Sequence, residues 1–130
     1  MKQNISTAKA PSAIGPYSQA IRVGDWLFTS GQIALDPVSG QMAAGDVKAQ
    51  TRQVLENLKA VLEAGSSNVA NVIKTTVFVM DLGQFGVINA EYEAFFKEYA
   101  PGAPFPSRST VQVSALPRGS LVEIEAIAKV

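Results

Sequence analysis

Three stretches of this 130-residue chain carry side chains able to do chemistry. The first is Phe105-Pro106-Ser107-Arg108-Ser109-Thr110-Val111, which sets an arginine where a proline-stiffened loop runs into a strand-like segment. A guanidinium held there presents a rigid fork of N–H donors that matches a carboxylate through two parallel hydrogen bonds. The same pattern also suits a surface arginine flanking a strand. The second is Val122-Glu123-Ile124-Glu125-Ala126-Ile127-Ala128. Strand alternation sends Val122, Ile124, Ala126 and Ala128 to one face and both glutamates to the other. A carboxylate on a covered face is costly unless paired, and its pKa rises toward the range useful for proton transfer. Pairing of both glutamates with lysine or arginine at a sheet edge is the alternative. The third joins Ile14-Gly15-Pro16-Tyr17-Ser18-Gln19 to Thr29-Ser30-Gly31-Gln32. Tyr17 offers a hydroxyl after a tight turn, and a glycine in a strand marks either close approach by another group or a bulge.

Composition narrows what these groups can do. Histidine and cysteine are both absent, which excludes disulfides, thiolate nucleophiles, metals held by His or Cys, and a serine–histidine triad. Acid–base work therefore falls to carboxylates, tyrosine, lysine, backbone groups or water. Eleven basic residues balance 11 acidic ones, and no Lys/Arg run forms a phosphate-tracking stripe, so nucleic acid is not an expected partner. No apolar stretch is long enough to span a membrane, and Met1-Lys2-Gln3-Asn4 opens no signal sequence. The expectation is a cytoplasmic protein with no membrane partner. Charged residues make up only 17% of the chain, below the roughly 25% of an average domain. Surface buried between subunits would account for that depletion.

The elements that must position these groups follow from periodicity. Residues 1–19, broken by Pro11, Gly15 and Pro16, read as irregular. Ala20–Val23 and Trp26–Ala34 read as strands joined at Gly24-Asp25, a hairpin signal. Asp46 caps a helix running to about Ala64, stopped by Gly65. Val47, Val54, Leu55, Leu58, Val61 and Leu62 form its apolar face, opposite Lys48, Arg52, Glu56, Lys59 and Glu63. Val72–Met80 is rich in β-branched residues and reads as a strand. Gln84–Tyr99 is a second helix, with Phe85, Ile88, Tyr92, Phe95, Phe96 and Tyr99 on its apolar stripe. Ser109–Val113 and Leu121–Val130 are the last two strands. The order is ββαβαββ, a single α+β domain over residues 1–130 with two helices on one face of a mixed sheet. In strand 72–80, Ile73, Val77 and Val79 point one way and Phe78 and Met80 the other. Both faces are then apolar, and no third helix is available to cover the second. A homo-oligomer joining sheet to sheet meets that need; a sheet coiled onto itself is the alternative.

The motifs IGPYSQA at 14–20, TSGQI at 29–33, IKTTVFVMDL at 73–82, NAEYEAFF at 89–96, PSRSTV at 106–111 and LPRGSLVEIEAIA at 116–128 together resemble one family across essentially the whole chain. This is the RidA/YjgF/YER057c/UK114 family, the reactive-intermediate deaminases. The resemblance implies a chorismate-mutase-like fold, a homotrimer with a barrel-like centre, and sites in the clefts between subunits. It implies hydrolysis of 2-imino acids, such as 2-iminobutanoate and 2-iminopropanoate, to 2-oxo acids and ammonia, with no cofactor and no metal. Arg108 matches the family's carboxylate-binding arginine and Glu123 its water-orienting glutamate. Tyr17, Ser30, Gly31 and Asn89 match residues that line its cleft. Thr110 stands where many relatives carry cysteine, at a place whose main chain meets the ligand or its water.

That chemistry also suits the residues taken alone. A protonated imine is already electrophilic, so the protein must only anchor the carboxylate and hold a water beside the imine carbon. The resemblance leaves two other functions open. A regulatory trimer would bind small carboxylic acids at Arg108 without turnover. A ribonuclease or translation inhibitor is disfavoured by zero net charge and the lack of histidine.

Overall fold

In a computed structural model describing residues 1–130, the chain forms one six-stranded sheet and two long helices. The strands are β1 (Gln3–Ile5), β2 (Ala20–Val23), β3 (Trp26–Thr29), β4 (Val72–Val79), β5 (Ser107–Gln112) and β6 (Val122–Lys129). The helices are α1 (Val47–Ala64) and α2 (Phe85–Tyr99). Strand order across the sheet is β1-β2-β3-β6-β4-β5. Only the β4–β5 pair is parallel, with α2 as its crossover. The fold is therefore mixed α+β, as expected.

Helix α1 begins where Asp46 Oδ1 accepts the Ala49 N–H at 3.1 Å, and ends where the Gly65 N–H reaches the carbonyls of Val61 and Leu62. Its expected apolar face is buried in full and belongs to a core of 24 residues shared with β3, β4, β6 and α2. Three polar residues on that face are also buried, and two of them work as staples. Asn57 Nδ2 donates to the carbonyls of Ile33 and Leu35 at 3.0 and 2.8 Å. Gln50 Oε1 accepts the Leu121 N–H at 2.8 Å. These bonds fix the segment after β3 and the entry to β6, both of which carry candidate site residues. Leaving such buried groups unpaired would cost about 1–3 kcal/mol each.

Several boundaries differ from the sequence reading. Residues 3–5 form β1, pairing with β2 from Gln3↔Arg22 to Ile5↔Ala20, so the order is βββαβαββ. Three residues are too short for an alternation signal to emerge. Strand β3 stops at Thr29 rather than Ala34: its ladder to β6 ends at Phe28, and the Ala126 N–H donates to the Thr29 hydroxyl at 2.9 Å. Ser30 stays tied to the β2 side, its N–H donating to the Gln19 carbonyl and its hydroxyl to the Ser18 carbonyl at 2.6 Å. Pairing resumes once, where Gln32 and Ile124 exchange both backbone bonds. Strand β5 starts at Ser107, and α2 starts at Phe85 after a short turn over Leu82–Gln84.

Ile73 does not share a face with Val77 and Val79. The β4–β6 register slips between Val72 and Lys74, which leaves Val72 buried and Ile73 46% exposed. Phe85 and Tyr99, at the two ends of the α2 stripe, are also exposed.

Both helices pack on the face carrying Leu27, Val77, Val79, Val122 and Ile124. The opposite face presents Trp26 and Phe28, 42% and 45% exposed, together with Val111, Phe78, Ile127, Glu123 and Glu125. No element of this chain covers it. No helix is long and apolar enough to cross a membrane.

Candidate active site

The parallel β4–β5 register sets Arg108 beside Thr75, on the side of the sheet that α2 covers. Its guanidinium carbon lies 4.9 Å from the centroid of the Tyr92 ring and 5.5 Å from that of Phe85. Arg108 belongs to none of the molecule's ion pairs. Its in-plane donors are thus uncommitted to any carboxylate. They open on a cleft of about 380 Å³ lined by Asn89, Tyr92, Glu93, Phe105, Pro106 and Arg108 itself. The lining Glu93 is held by Lys97 at 2.7 Å, one turn along α2. The Tyr92 hydroxyl bonds Thr75 Oγ1 at 2.7 Å. Burial pushes its pKa up, while the Thr75 bond and the Arg108 charge pull the other way. Thr110 lies two residues beyond Arg108 on the same side of β5. It does not line this cleft; its hydroxyl is buried without a hydrogen-bond partner.

A second cleft, of about 260 Å³, is formed by the N-terminal segment and the turn after β3, and Tyr17, Gly31, Gln32 and Arg118 are among its walls. Gly15, at φ 126°, makes the bend that a side chain would strain. It lets the Tyr17 hydroxyl fold back to accept the Ile14 N–H at 3.4 Å. Behind this bend sits Gln19, 4% exposed. Its Oε1 accepts the Thr7 N–H and its Nε2 donates to the carbonyls of Thr7, Ala10 and Pro11. One amide therefore pins the whole strap that carries Tyr17. Ser30 spends its hydroxyl on the Ser18 carbonyl, so it joins the strap to the β3 turn.

Gly31 explains its own identity. A Cβ there would stand 2.7 Å from Glu123 Cδ and 2.9 Å from Cγ. The glutamate occupies the space a side chain at 31 would need, and the turn that carries Gly31 is also a wall of the Tyr17 cleft. Glu123 and Glu125 both lie on the uncovered sheet face, and neither pairs with a basic side chain. The edge pairing considered for them does not occur. Burial raises the Glu123 pKa above that of an ordinary glutamate, and the negative charge of Glu125 raises it further.

The expected residues thus gather in two groups. Arg108 and Asn89 meet on the helix-covered face; Glu123 packs across the sheet against Gly31, whose turn and the neighbouring strap carry Ser30 and Tyr17. Register puts the groups on opposite sides, since Arg108 pairs with Thr75 and Glu123 with Phe78, an odd number of residues apart along β4. One group is a bare cation suited to a carboxylate. The other is a carboxyl of raised pKa packed against Gly31. Three residues of these walls escaped the sequence reading. Tyr92 read only as part of an apolar stripe. Gln19 and Arg118 stand only as letters in motifs; in the structure Arg118 holds φ 57° and donates to the Gly40 carbonyl at 3.5 Å.

Residues 7–130 match the family model described as Endoribonuclease L-PSP. A 2-iminobutanoate/2-iminopropanoate deaminase of Salmonella typhimurium is 52% identical, over 98% of both chains. The protein of the same name from Escherichia coli is 51% identical over the same shares. Among solved structures, the YjgF gene product of E. coli superimposes with a TM-score of 0.93 at 50% identity, over 98% of each chain. E. coli TdcF with bound serine gives a TM-score of 0.93 at 46% identity, again over 98% of each.

Proposed function

Since the chain belongs to the Endoribonuclease L-PSP family, the family of RidA and YjgF, we propose that it hydrolyses 2-imino acids to 2-oxo acids and ammonia. The sites lie between the subunits of a homotrimer, each formed by the Arg108 group of one chain and the Glu123 group of its neighbour. The observation that carries this reading is a pair of unsatisfied partners: a guanidinium with no carboxylate, and a carboxyl with raised pKa and no cation. They stand on opposite faces of one sheet, and only a second chain brings two such groups into one cleft. The exposed Trp26, Phe28 and Val111 on the Glu123 face supply the apolar surface for that contact.

Arg108 takes the substrate carboxylate through paired N–H donors, which orients the imine carbon. Glu123 holds a water against that carbon. As the water oxygen bonds to C2, the C=N electron pair moves to nitrogen and Glu123 takes the water proton. The carboxyl then returns the proton to the amino nitrogen of the tetrahedral intermediate. The hydroxyl electron pair re-forms a C=O bond as ammonia leaves, and the hydroxyl proton passes to solvent. A carboxyl with raised pKa suits both directions of transfer better than an ordinary glutamate. Tyr17 and the Gly31 main chain supply donors to the bound molecule.

The test generates 2-iminobutanoate in place with a threonine dehydratase and follows 2-oxobutanoate release. The wild-type protein accelerates release; Arg108→Ala and Glu123→Ala do not, while native mass stays that of a trimer. A relative with bound serine gives weight to a second reading, a small-carboxylate receptor without turnover. Wild-type protein that binds 2-oxobutanoate yet leaves the release rate unchanged would establish that reading instead.

A further inference from the structure

Arginines at ligand sites are commonly held by a carboxylate, and Arg108 is not. What does hold it is aromatic. Tyr92 is 4% exposed, so its ring is a fixed wall. Its centroid lies 4.9 Å from the Arg108 guanidinium carbon, closer than Phe85 at 5.5 Å. The ring is itself locked: its hydroxyl is bonded at 2.7 Å to Thr75, the residue in register with Arg108 on the neighbouring strand. Thr75 is completely buried. Strand β4, helix α2 and strand β5 thus close a loop of three side chains, Thr75, Tyr92 and Arg108.

We infer that Tyr92 is the positioning residue for Arg108 in carboxylate recognition, acting through the electron-rich face of its ring. The role follows from what each kind of partner does to a guanidinium. A carboxylate would take the same in-plane donors that the substrate needs, and it would have to be displaced on binding. A ring attracts the cation through its face and leaves the fork of N–H donors free. Arg108 is thereby held in one orientation with its charge unneutralised. The inference rests on the proposed use of Arg108, and it adds the group that prepares that arginine.

Ring electronics separate this role from mere packing. Pentafluorophenylalanine has nearly the shape of phenylalanine but the opposite quadrupole, so it repels a cation at its face. Binding of 2-oxobutanoate is measured by calorimetry alongside imine turnover for wild type, Tyr92→Phe, Thr75→Val and the protein with pentafluorophenylalanine at position 92. For Tyr92→Phe and Thr75→Val we expect Kd and KM to rise by no more than about twofold, since the ring face persists. The fluorinated protein should lose at least about fivefold in both, ~1 kcal/mol at 1.36 kcal/mol per tenfold. Its kcat at saturation should stay near that of Tyr92→Phe, because Glu123 is untouched. Equal Kd for the fluorinated and Tyr92→Phe proteins would overturn the inference, as would a loss in Tyr92→Phe as large as the fluorinated one. If wild type itself binds no 2-oxobutanoate, the proposed use of Arg108 fails rather than the part given to Tyr92.

Discussion

Gly31→Ala is a change of one methyl group whose effect can be worked out from distances. The added Cβ would lie 2.7 Å from Glu123 Cδ, 2.9 Å from Cγ and 3.0 Å from Oε2. Carbon–carbon contacts are comfortable at roughly 3.5–4.0 Å, so the carboxyl must retreat by about 1 Å. The backbone at Gly31 is not in the left-handed region, and the atoms that give way are the free end of a side chain. The stability cost therefore sits at or below the low end of the ~1–3 kcal/mol of overpacked cores. Catalysis has no such slack: misplacing a reacting group by about 1 Å costs on the order of 100-fold. That corresponds to ~2.7 kcal/mol of transition-state stabilisation. The arginine of the proposed site comes from the neighbouring chain and keeps its own wall, Tyr92, so carboxylate binding is undisturbed. Steady-state assay with imine generated in place should show kcat down about 100-fold, KM within about threefold and thermal midpoint nearly unchanged. A Gly31→Ala protein with kcat within about threefold of wild type would refute the placement of Glu123 at the reacting centre.

The raised pKa of Glu123 makes a signed claim about stability. Its charged form is disfavoured in the fold, so wild type keeps its full stability below the ordinary carboxyl pKa and loses part as pH rises through the raised folded value. Glu123→Gln should thus be more stable than wild type at neutral pH, with the difference closing on acidification; urea titrations at several pH values would read this, and a pH-independent difference would contradict it. Glu125→Gln removes the second cause of the shift, so the acid limb of kcat/KM should move to lower pH, and a limb that stays put would separate Glu125 from the site. Gly65→Ala presses a Cβ to 2.6 Å from both methyls of the fully buried Leu27, so it should cost at least ~1–3 kcal/mol in denaturant without selective loss of kcat.

Much of this molecule was legible in its sequence because the signals were local and repeated. Helix α1 has its cap, its stop and its whole apolar face within 20 residues, and all are where periodicity puts them. The alternation in β6 likewise separated Glu123 and Glu125 from Val122, Ile124 and Ala126. What escaped was set by contacts between distant segments. The bulge at Val72/Lys74 that turns Ile73 outward answers to β6, not to its own neighbours. Strand β1 exists through pairing with β2 and has too few residues to announce itself. The site shows the same division. Glu123 stands out as a charge in an apolar strand, and Arg108 as a charge at the junction of a proline loop and a strand. Tyr92 does not, because an aromatic at helical spacing looks the same whether it fills a core or carries a cation. Its second duty is visible only once β5 is laid beside β4.

The claim that one cleft draws Arg108 and Glu123 from different chains is tested most directly by mixing two inactive proteins. Arg108→Ala and Glu123→Ala are unfolded together and refolded in equal amounts, and 2-oxobutanoate release is measured from imine generated in place. Random assembly of trimers gives each site an even chance of an intact arginine and, independently, of an intact glutamate from the neighbour. About a quarter of sites should then be whole, and activity should recover to about a quarter of the wild-type rate. If each site took both residues from the same chain, no site in the mixture would be whole. A mixture no more active than either parent would contradict the account.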